Sequence, residues 1–281
     1  MSRIREYTFR VATAALLRSI SWIQRRYGVT TNYKVGSDGI AALFENCWFR
    51  YDIGDFGATG NIDFHGDGEN ATRRKLFALL KAGEVFYDVG AHGGVYSVTL
   101  KKKFPSLEVH SFEPQPKELL ANLALNDMPS SLVHAVALGD QAGIVRMTSQ
   151  NRSSNHVSSE GDIEVSMVRL DDYRQGKSLA PPAWIKIDIE GLELPALKGS
   201  EATIRASRPI LICEINELNK RYGLGVGDLV TYVTDLDYTI YRLVDGRLIP
   251  ASATSSLSDL GPSADFNYWF VPSERGHEFT R

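Results

Sequence analysis

From residue 84 onward, short apolar runs alternate with amphipathic stretches, and most apolar runs end in a turn or an acid. Val85–Val89, Leu107–Phe112, Leu132–Leu138, Trp184–Ile189 and Pro209–Glu214 have the length and content of strands. Between them Val95–Phe104, Pro116–Leu125 and Leu192–Ala206 read as helices, the last with Pro195 in its first turn, where proline is tolerated. Ala71–Leu80 adds a helix before this series and Asp228–Thr234 one after it. Tyr238–Val244 and Phe266–Val271 close the sheet, and Gly143–Thr148 with Glu164–Leu170 forms an inserted hairpin arm. Strands spaced by helices predict an α/β fold: a mainly parallel sheet with helices on both faces.

Such sheets bind ligands beyond the C-terminal ends of their strands. The predicted ends are Asp88, Glu113, Leu138, Asp188-Ile189-Glu190 and Glu214, and four of these five places carry a carboxylate. One acid at a strand end is an ordinary helix cap; this many along one edge exceed what capping needs. Asp88-Val89-Gly90-Ala91-His92-Gly93-Gly94 is a glycine turn between strand and helix. Its glycines permit close approach of a ligand to the backbone. It is not the G-x-G-x-x-G of dinucleotide enzymes. Asp88 would repel a pyrophosphate on the helix N-terminus and suits a cationic or hydroxylated ligand, such as the amino group of S-adenosylmethionine. Glu113, in Ser111-Phe112-Glu113-Pro114, can accept both hydroxyls of a ribose, which indicates a nucleoside without choosing the cofactor. Period two puts Lys186 and Asp188 on one side of their strand. A lysine in so apolar a strand needs a carboxylate partner, Asp188 or one on a neighbouring strand. Glu190 starts the following turn, and Gly191 permits close approach there.

The order of these segments carries a resemblance. Asp88 to Ser97 matches the D-V-G-A-N-x-G-x-Y-S pattern of the FkbM-type family of S-adenosylmethionine-dependent methyltransferases, with His92 in place of the usual Asn. Glu113-Pro114, Leu125-Asn126, Ala137 to Asp140, Leu170-Asp171-Asp172, Lys186 to Glu193 and Asn267 to Pro272 match further family signatures in sequence. Residues 1–65 carry no family signal. The resemblance implies a class I methyltransferase (Rossmann-like) fold with a seven-stranded, mostly parallel sheet and an antiparallel last strand. It implies S-adenosylmethionine as methyl donor and O-methylation of a hydroxyl on a sugar, glycan or secondary metabolite. Asp88, Gly90, His92, Gly94, Tyr96, Ser97, Glu113, Leu138 and Asp188 are the expected cofactor-binding residues.

An alcohol is about as weak an acid as water, so transfer to a hydroxyl needs a base or a metal. Asp188 or Glu190 is expected to be that base or to orient the acceptor. His156, in the polar loop of the arm, is the candidate to reach over the acceptor. His110 and His134 lie in strands and read as satisfied core residues. Asp188, Glu190 and Glu214 could instead hold Mg²⁺ through their oxygens; no metal is expected.

Composition sets the outer bounds. The chain of 281 residues is 43% hydrophobic and 10% aromatic, enough for a substantial core. A net charge of −3 argues against a nucleic-acid partner. Cys47 and Cys213 cannot build a disulfide framework or a Cys-rich zinc site. Residues 1–27 hold six arginines against one acid. They are expected to form a helix that packs on the main domain, with membrane-surface contact the sharper alternative. Residues 28–68 carry turn signals at 36–39, 52–55 and 66–68 and suggest a β-hairpin element. The expected division is an extension over 1–70 and a methyltransferase domain over 71–281. With no membrane span and no cleavable leader read, the expected location is cytoplasmic. The expected partner is a small hydroxylated acceptor, with self-association open. Competing readings are a catalytically silent nucleoside-binding module, a methyltransferase acting on protein, and an NAD-linked oxidoreductase, the last disfavoured by Asp88.

Overall fold

A computed structural model describes residues 33–36, 39–51, 70–149, 155–251, 257–261, 263 and 266–279, with Ala15 and Trp22 individually. The expected basic helix over 1–27, the turns at 52–55 and 66–68, and residues 151–154 of the arm loop lie outside the described residues.

Three sheets are formed. The N-terminal sheet is an antiparallel meander of β1 (Tyr33–Gly36), β2 (Gly39–Phe44) and β3 (Cys47–Tyr51). Helix α1 (Asn70–Leu79) leads into β4 (Val85–Val89), followed by α2 (Val95–Lys103), β5 (Glu108–Phe112), α3 (Lys117–Leu125) and β6 (Val133–His134). Next come β7 (Ala137–Leu138), β8 (Gly143–Met147), β9 (Ile163–Val168), α4 (Leu170–Lys177) and β10 (Trp184–Ile187). Helices α5 (Glu193–Lys198) and α6 (Glu201–Ser207), β11 (Ile210–Glu214), α7 (Val226–Asp235), β12 (Tyr238–Val244), β13 (Arg247–Pro250), α8 (Leu257–Leu260) and β14 (Asn267–Pro272) complete the order.

The main sheet runs β13-β12-β14-β11-β10-β4-β5-β6. Strands β6, β5, β4, β10 and β11 are parallel neighbours, and β14 is antiparallel to both β11 and β12. The expected antiparallel last strand is therefore present, but the sheet has eight strands and is mixed, not seven. The extra strand, β13, folds back on β12 through Asp245-Gly246, both at positive φ (48° and 74°). That two-residue turn has the twist that favours tight hairpins.

Two further expectations are corrected. The apolar run 132–138 is not one strand. After β6 the chain bends, with the Val136 N–H donating to the His134 carbonyl, and β7 leaves to pair with β9 in the separate sheet β7-β9-β8. Leu138 thus ends no strand of the main sheet; it is buried in the core. Similarly, 192–206 is two helices broken at Gly199-Ser200. An added Cβ at Gly199 would stand 1.9 Å from the Gly139 carbonyl oxygen, so the helix is pressed against the arm's root there. Asp171 caps the restart, accepting the N–H groups of Ala202 (3.0 Å) and Thr203 (2.8 Å).

Alternation along the strands divides the core. Tyr87, Val89, Ile185, Ile187, Leu211 and Cys213 face α5, α6 and α7. Phe86, Trp184, Ile210, Ile212 and Trp269 face α1 and α2. Helices therefore cover both faces, as expected. Cys47 and Phe49 of β3 join a third cluster with Val98 of α2 and Leu119 and Leu123 of α3. Both cysteines are free and buried. Among the described residues, no helix is long and apolar enough to cross a membrane.

Candidate active site

The C-terminal ends of β5, β4, β10 and β11 lie side by side, so Glu113, the 90–94 turn, Asp188 and Glu214 share one edge. Asp88 is set back from that edge and is 1% exposed. Ser97 donates both its N–H (3.1 Å) and its hydroxyl to Asp88 Oδ2, and Ser97 Oγ lies 2.7 Å from Ser111 Oγ. Burial raises the Asp88 carboxyl, against the opposing pull of the Lys186 charge. The carboxylate therefore ties the first turn of α2 to the sheet.

Gly90 and Gly94 are both at φ 80°. A Cβ on Gly90 would fall 1.8 Å from the Asp188 carbonyl oxygen, and one on Gly94 2.4 Å from Leu119. The close approach that these glycines permit is thus to the chain's own backbone and to α3. His92 (φ 46°) donates its N–H to Glu113 Oε2 at 2.9 Å, and the Gln115 N–H donates to Oε1 at 2.9 Å. Burial raises the Glu113 carboxyl, and these two N–H groups oppose it. Glu113 is 8% exposed, fixed at the edge with a lone pair remaining on each oxygen.

On the other side of the turn, Lys186 is 2% exposed and its Nζ donates to Asp188 Oδ2 at 2.9 Å. The expected partner of the buried lysine is the one found. The ammonium also stands 4.7 Å from the centre of the buried Tyr96 ring, a cation–π contact. Glu214 shares a side-chain hydrogen bond with Asp188. Burial and the Asp188 charge push the Glu214 carboxyl up to about 10, so at neutral pH the pair holds one proton. Glu190 adopts φ 60°, in the left-handed region. Burial and Asp188 raise its carboxyl, while Arg221 and His156 oppose. The arm thus places His156 within electrostatic range of Glu190. The arm is tied down on both sides of the edge: Gln115 donates to the Thr148 carbonyl (2.8 Å) and Tyr222 to the Val157 carbonyl (2.8 Å).

Glu193 is a structural residue that its place in the motif did not reveal. It is 2% exposed, and its Oε1 accepts the N–H groups of Ile189 and Gly191, both at 3.1 Å, folding the 188–191 turn around itself. Burial pushes it up to about 7. Gly191, at φ 109°, would place a Cβ 2.7 Å from the Leu218 carbonyl oxygen. Gln115, Arg221 and Tyr222 also border the site, and their sequence context carries no signal of it. Leu138 is buried in the core cluster that also holds Val89, Phe112 and Ile187, the last residues of β4, β5 and β10. His110 and His134 are satisfied core residues, their ring nitrogens 3.0 Å apart, with Tyr173 and Glu108 completing the chain. Among the described residues, no three His, Cys, Asp or Glu side chains are grouped as metal ligands.

An α/β sheet that lines one edge with hydrogen-bonded carboxylates, beside a glycine turn, defines the chain as an α/β protein with an acidic strand-end site. The profile of the methyltransferase FkbM domain matches residues 88–240, more than half of the chain, and the chain belongs to the FkbM methyltransferase family. It is 25% identical over 182 residues to 31-O-demethyl-FK506 methyltransferase FkbM of Streptomyces tacrolimicus, covering 51% of this chain and 70% of that protein. It is 23% identical over 150 residues to hexuronic acid methyltransferase AglP of Haloferax volcanii, covering 52% of this chain and 62% of that protein. A crystal structure of methyltransferase FkbM from Methylobacillus flagellatus matches 69% of this chain and 45% of its own, at 20% identity and a TM-score of 0.45.

Proposed function

We propose that the protein is an S-adenosylmethionine-dependent methyltransferase acting on a hydroxyl of a small acceptor, such as a sugar, glycan or secondary metabolite. The carrying observation is the division of the strand-end edge: an anchored carboxylate at Glu113 on one side of the turn, and the hydrogen-bonded side chains of Lys186, Asp188 and Glu214 on the other. The donor set fits the expected cofactor. The free lone pairs of Glu113 suit a ribose diol, and the buried neighbours Tyr96 and Ser97 hold the turn beside it. When bound, S-adenosylmethionine supplies a methyl group on a positively charged sulfur.

The rest is work for this chain's residues. An alcohol has a pKa of about 16, so its proton must have a destination as the new bond forms. That role is assigned to Asp188. Lys186 and Glu214 fix the orientation of that carboxylate through its own hydrogen bonds. Glu190 and His156 stand beyond, where the arm meets the edge, and are assigned to acceptor hydroxyls. The names of the two relatives, one specifying 31-O-demethyl-FK506 and the other a hexuronic acid, support a hydroxylated acceptor over a protein.

Calorimetric titration with S-adenosylmethionine, using NAD as control, tests the reading. Micromolar binding of the first alone, weakened about tenfold or more by Glu113→Ala, is expected. Absence of binding by the folded protein, with and without candidate acceptors, would remove it.

A further inference from the structure

The N-terminal hairpin carries no family signature, yet it is wired into the glycine turn. Helix α3 and the residue that caps its C-terminal end present Asn122 and Asn126, four residues apart. Asn126 Oδ1 accepts the Trp48 N–H (2.7 Å) and its Nδ2 donates to the Trp48 carbonyl (2.7 Å). Asn122 Oδ1 accepts the Arg50 N–H (2.8 Å). Four helical residues rise about 6 Å and two strand residues about 6.8 Å, so two asparagines at this spacing meet alternate residues of a strand. They act as a substitute neighbour for the edge of β3.

Asn122 has a second contact that Asn126 lacks. Its Nδ2 donates to the Gly93 carbonyl at 2.8 Å, and the residue is 3% exposed. Gly93 lies between His92, whose N–H is held by Glu113, and Gly94, whose φ is 80°. The turn is thus pinned by Glu113 at one residue and by Asn122 at the next. A second thread starts from the same hairpin. Glu45 pairs with the buried Arg73 at 3.2 Å, and the Arg73 guanidinium lies 5.9 Å from the centre of the Tyr96 ring, which also receives Lys186.

We propose that Asn122 is a positioning residue of the donor site, holding the 90–94 turn through Gly93 while its Oδ1 is anchored on Arg50 of β3. The inference rests on reading that turn as the methyl-donor site.

Asn122→Asp keeps an acceptor for Arg50 but has no proton for Gly93. Asn126→Asp makes the same change of charge one turn away and does not touch the turn. Two readouts are compared in variants matched by circular dichroism: calorimetric affinity for S-adenosylhomocysteine, and amide hydrogen exchange over 91–97 without ligand. Asn122→Asp is expected to weaken affinity about tenfold and speed exchange of the turn, with Asn126→Asp near wild type in both. Equal behaviour of the two variants would overturn the proposal. Asn122→Ser, uncharged and too short for either partner, repeats the test should the aspartate not fold. Failure of the wild type to bind S-adenosylhomocysteine would remove the donor-site reading, while the exchange comparison would still decide whether Asn122 pins the turn.

Discussion

The two halves of the strand-end edge hold their acids in different ways. On the β4–β5 side, Asp88 and Glu113 are bonded to Ser97 and to the N–H groups of His92 and Gln115. On the β10–β11 side, Asp188, Glu190 and Glu214 face other side chains: Lys186, His156, Arg221 and one another. Main-chain donors fix a carboxylate in place and oppose the rise that burial imposes on it. Neighbouring carboxyls instead make it hold or share a proton. The first arrangement suits recognition of an unchanging group such as a ribose; the second suits a step in which a proton moves.

The contrast breaks most severely where the halves touch. Gly90→Ala drives a methyl group into the Asp188 carbonyl and imposes a positive φ on alanine, so a loss of more than about 3 kcal/mol is expected, read as a lower urea midpoint or insoluble protein. Gly83→Ala, at the same φ but with nothing near, isolates the backbone part, about 1 kcal/mol. Asp188→Asn keeps the size of the side chain and removes the proton acceptor. It should lower kcat about 100-fold. A variant with wild-type kcat would leave the β10–β11 side without its chemical role.

The pH dependence of stability separates the halves more gently. Glu214 has a folded pKa of about 10 against 4.5 in the unfolded chain. Between those values the unfolded chain has lost a proton that the folded one keeps, so stability falls as pH rises. Melting temperatures of Glu214→Gln should decline less from pH 6 to pH 9 than those of the wild type. His134, whose carbonyl accepts the Glu113 N–H, has the opposite sign. Burial first, and then the His110 charge, lower it to about 4 from 6.5, so stability falls as pH drops through that window. His134→Asn should flatten that acid limb, the smallest of these effects.

Much of this was legible from pattern. The strands Val85–Val89 and Tyr238–Val244 follow from their apolar runs, and the pairing of Lys186 with Asp188 follows from period two and the cost of a lone buried ammonium. What pattern hides is decided by partners far along the chain. The run 132–138 splits because β7 finds β9 about thirty residues later. Helix 192–206 breaks because Gly139 presses on Gly199 and Asp171 caps the restart. Asp245-Gly246 was a local signal for β13, and it reads easily once the hairpin is known. Within the site, the strand-end acids were readable from the rule that places ligands there. The bonding that distinguishes Glu113 from Glu214 was not, because it depends on which main-chain and side-chain groups the fold places around each.

The two asparagines on α3 have a further consequence, for the protein in a crowded solution. A strand edge with free N–H and carbonyl groups is a template on which a second chain can add. At Trp48 both groups, and at Arg50 the N–H, are already spoken for by side chains that cannot extend a sheet. The hairpin is thereby closed to strand addition on that edge, and loss of both asparagines would turn an intramolecular seam into a site for intermolecular growth.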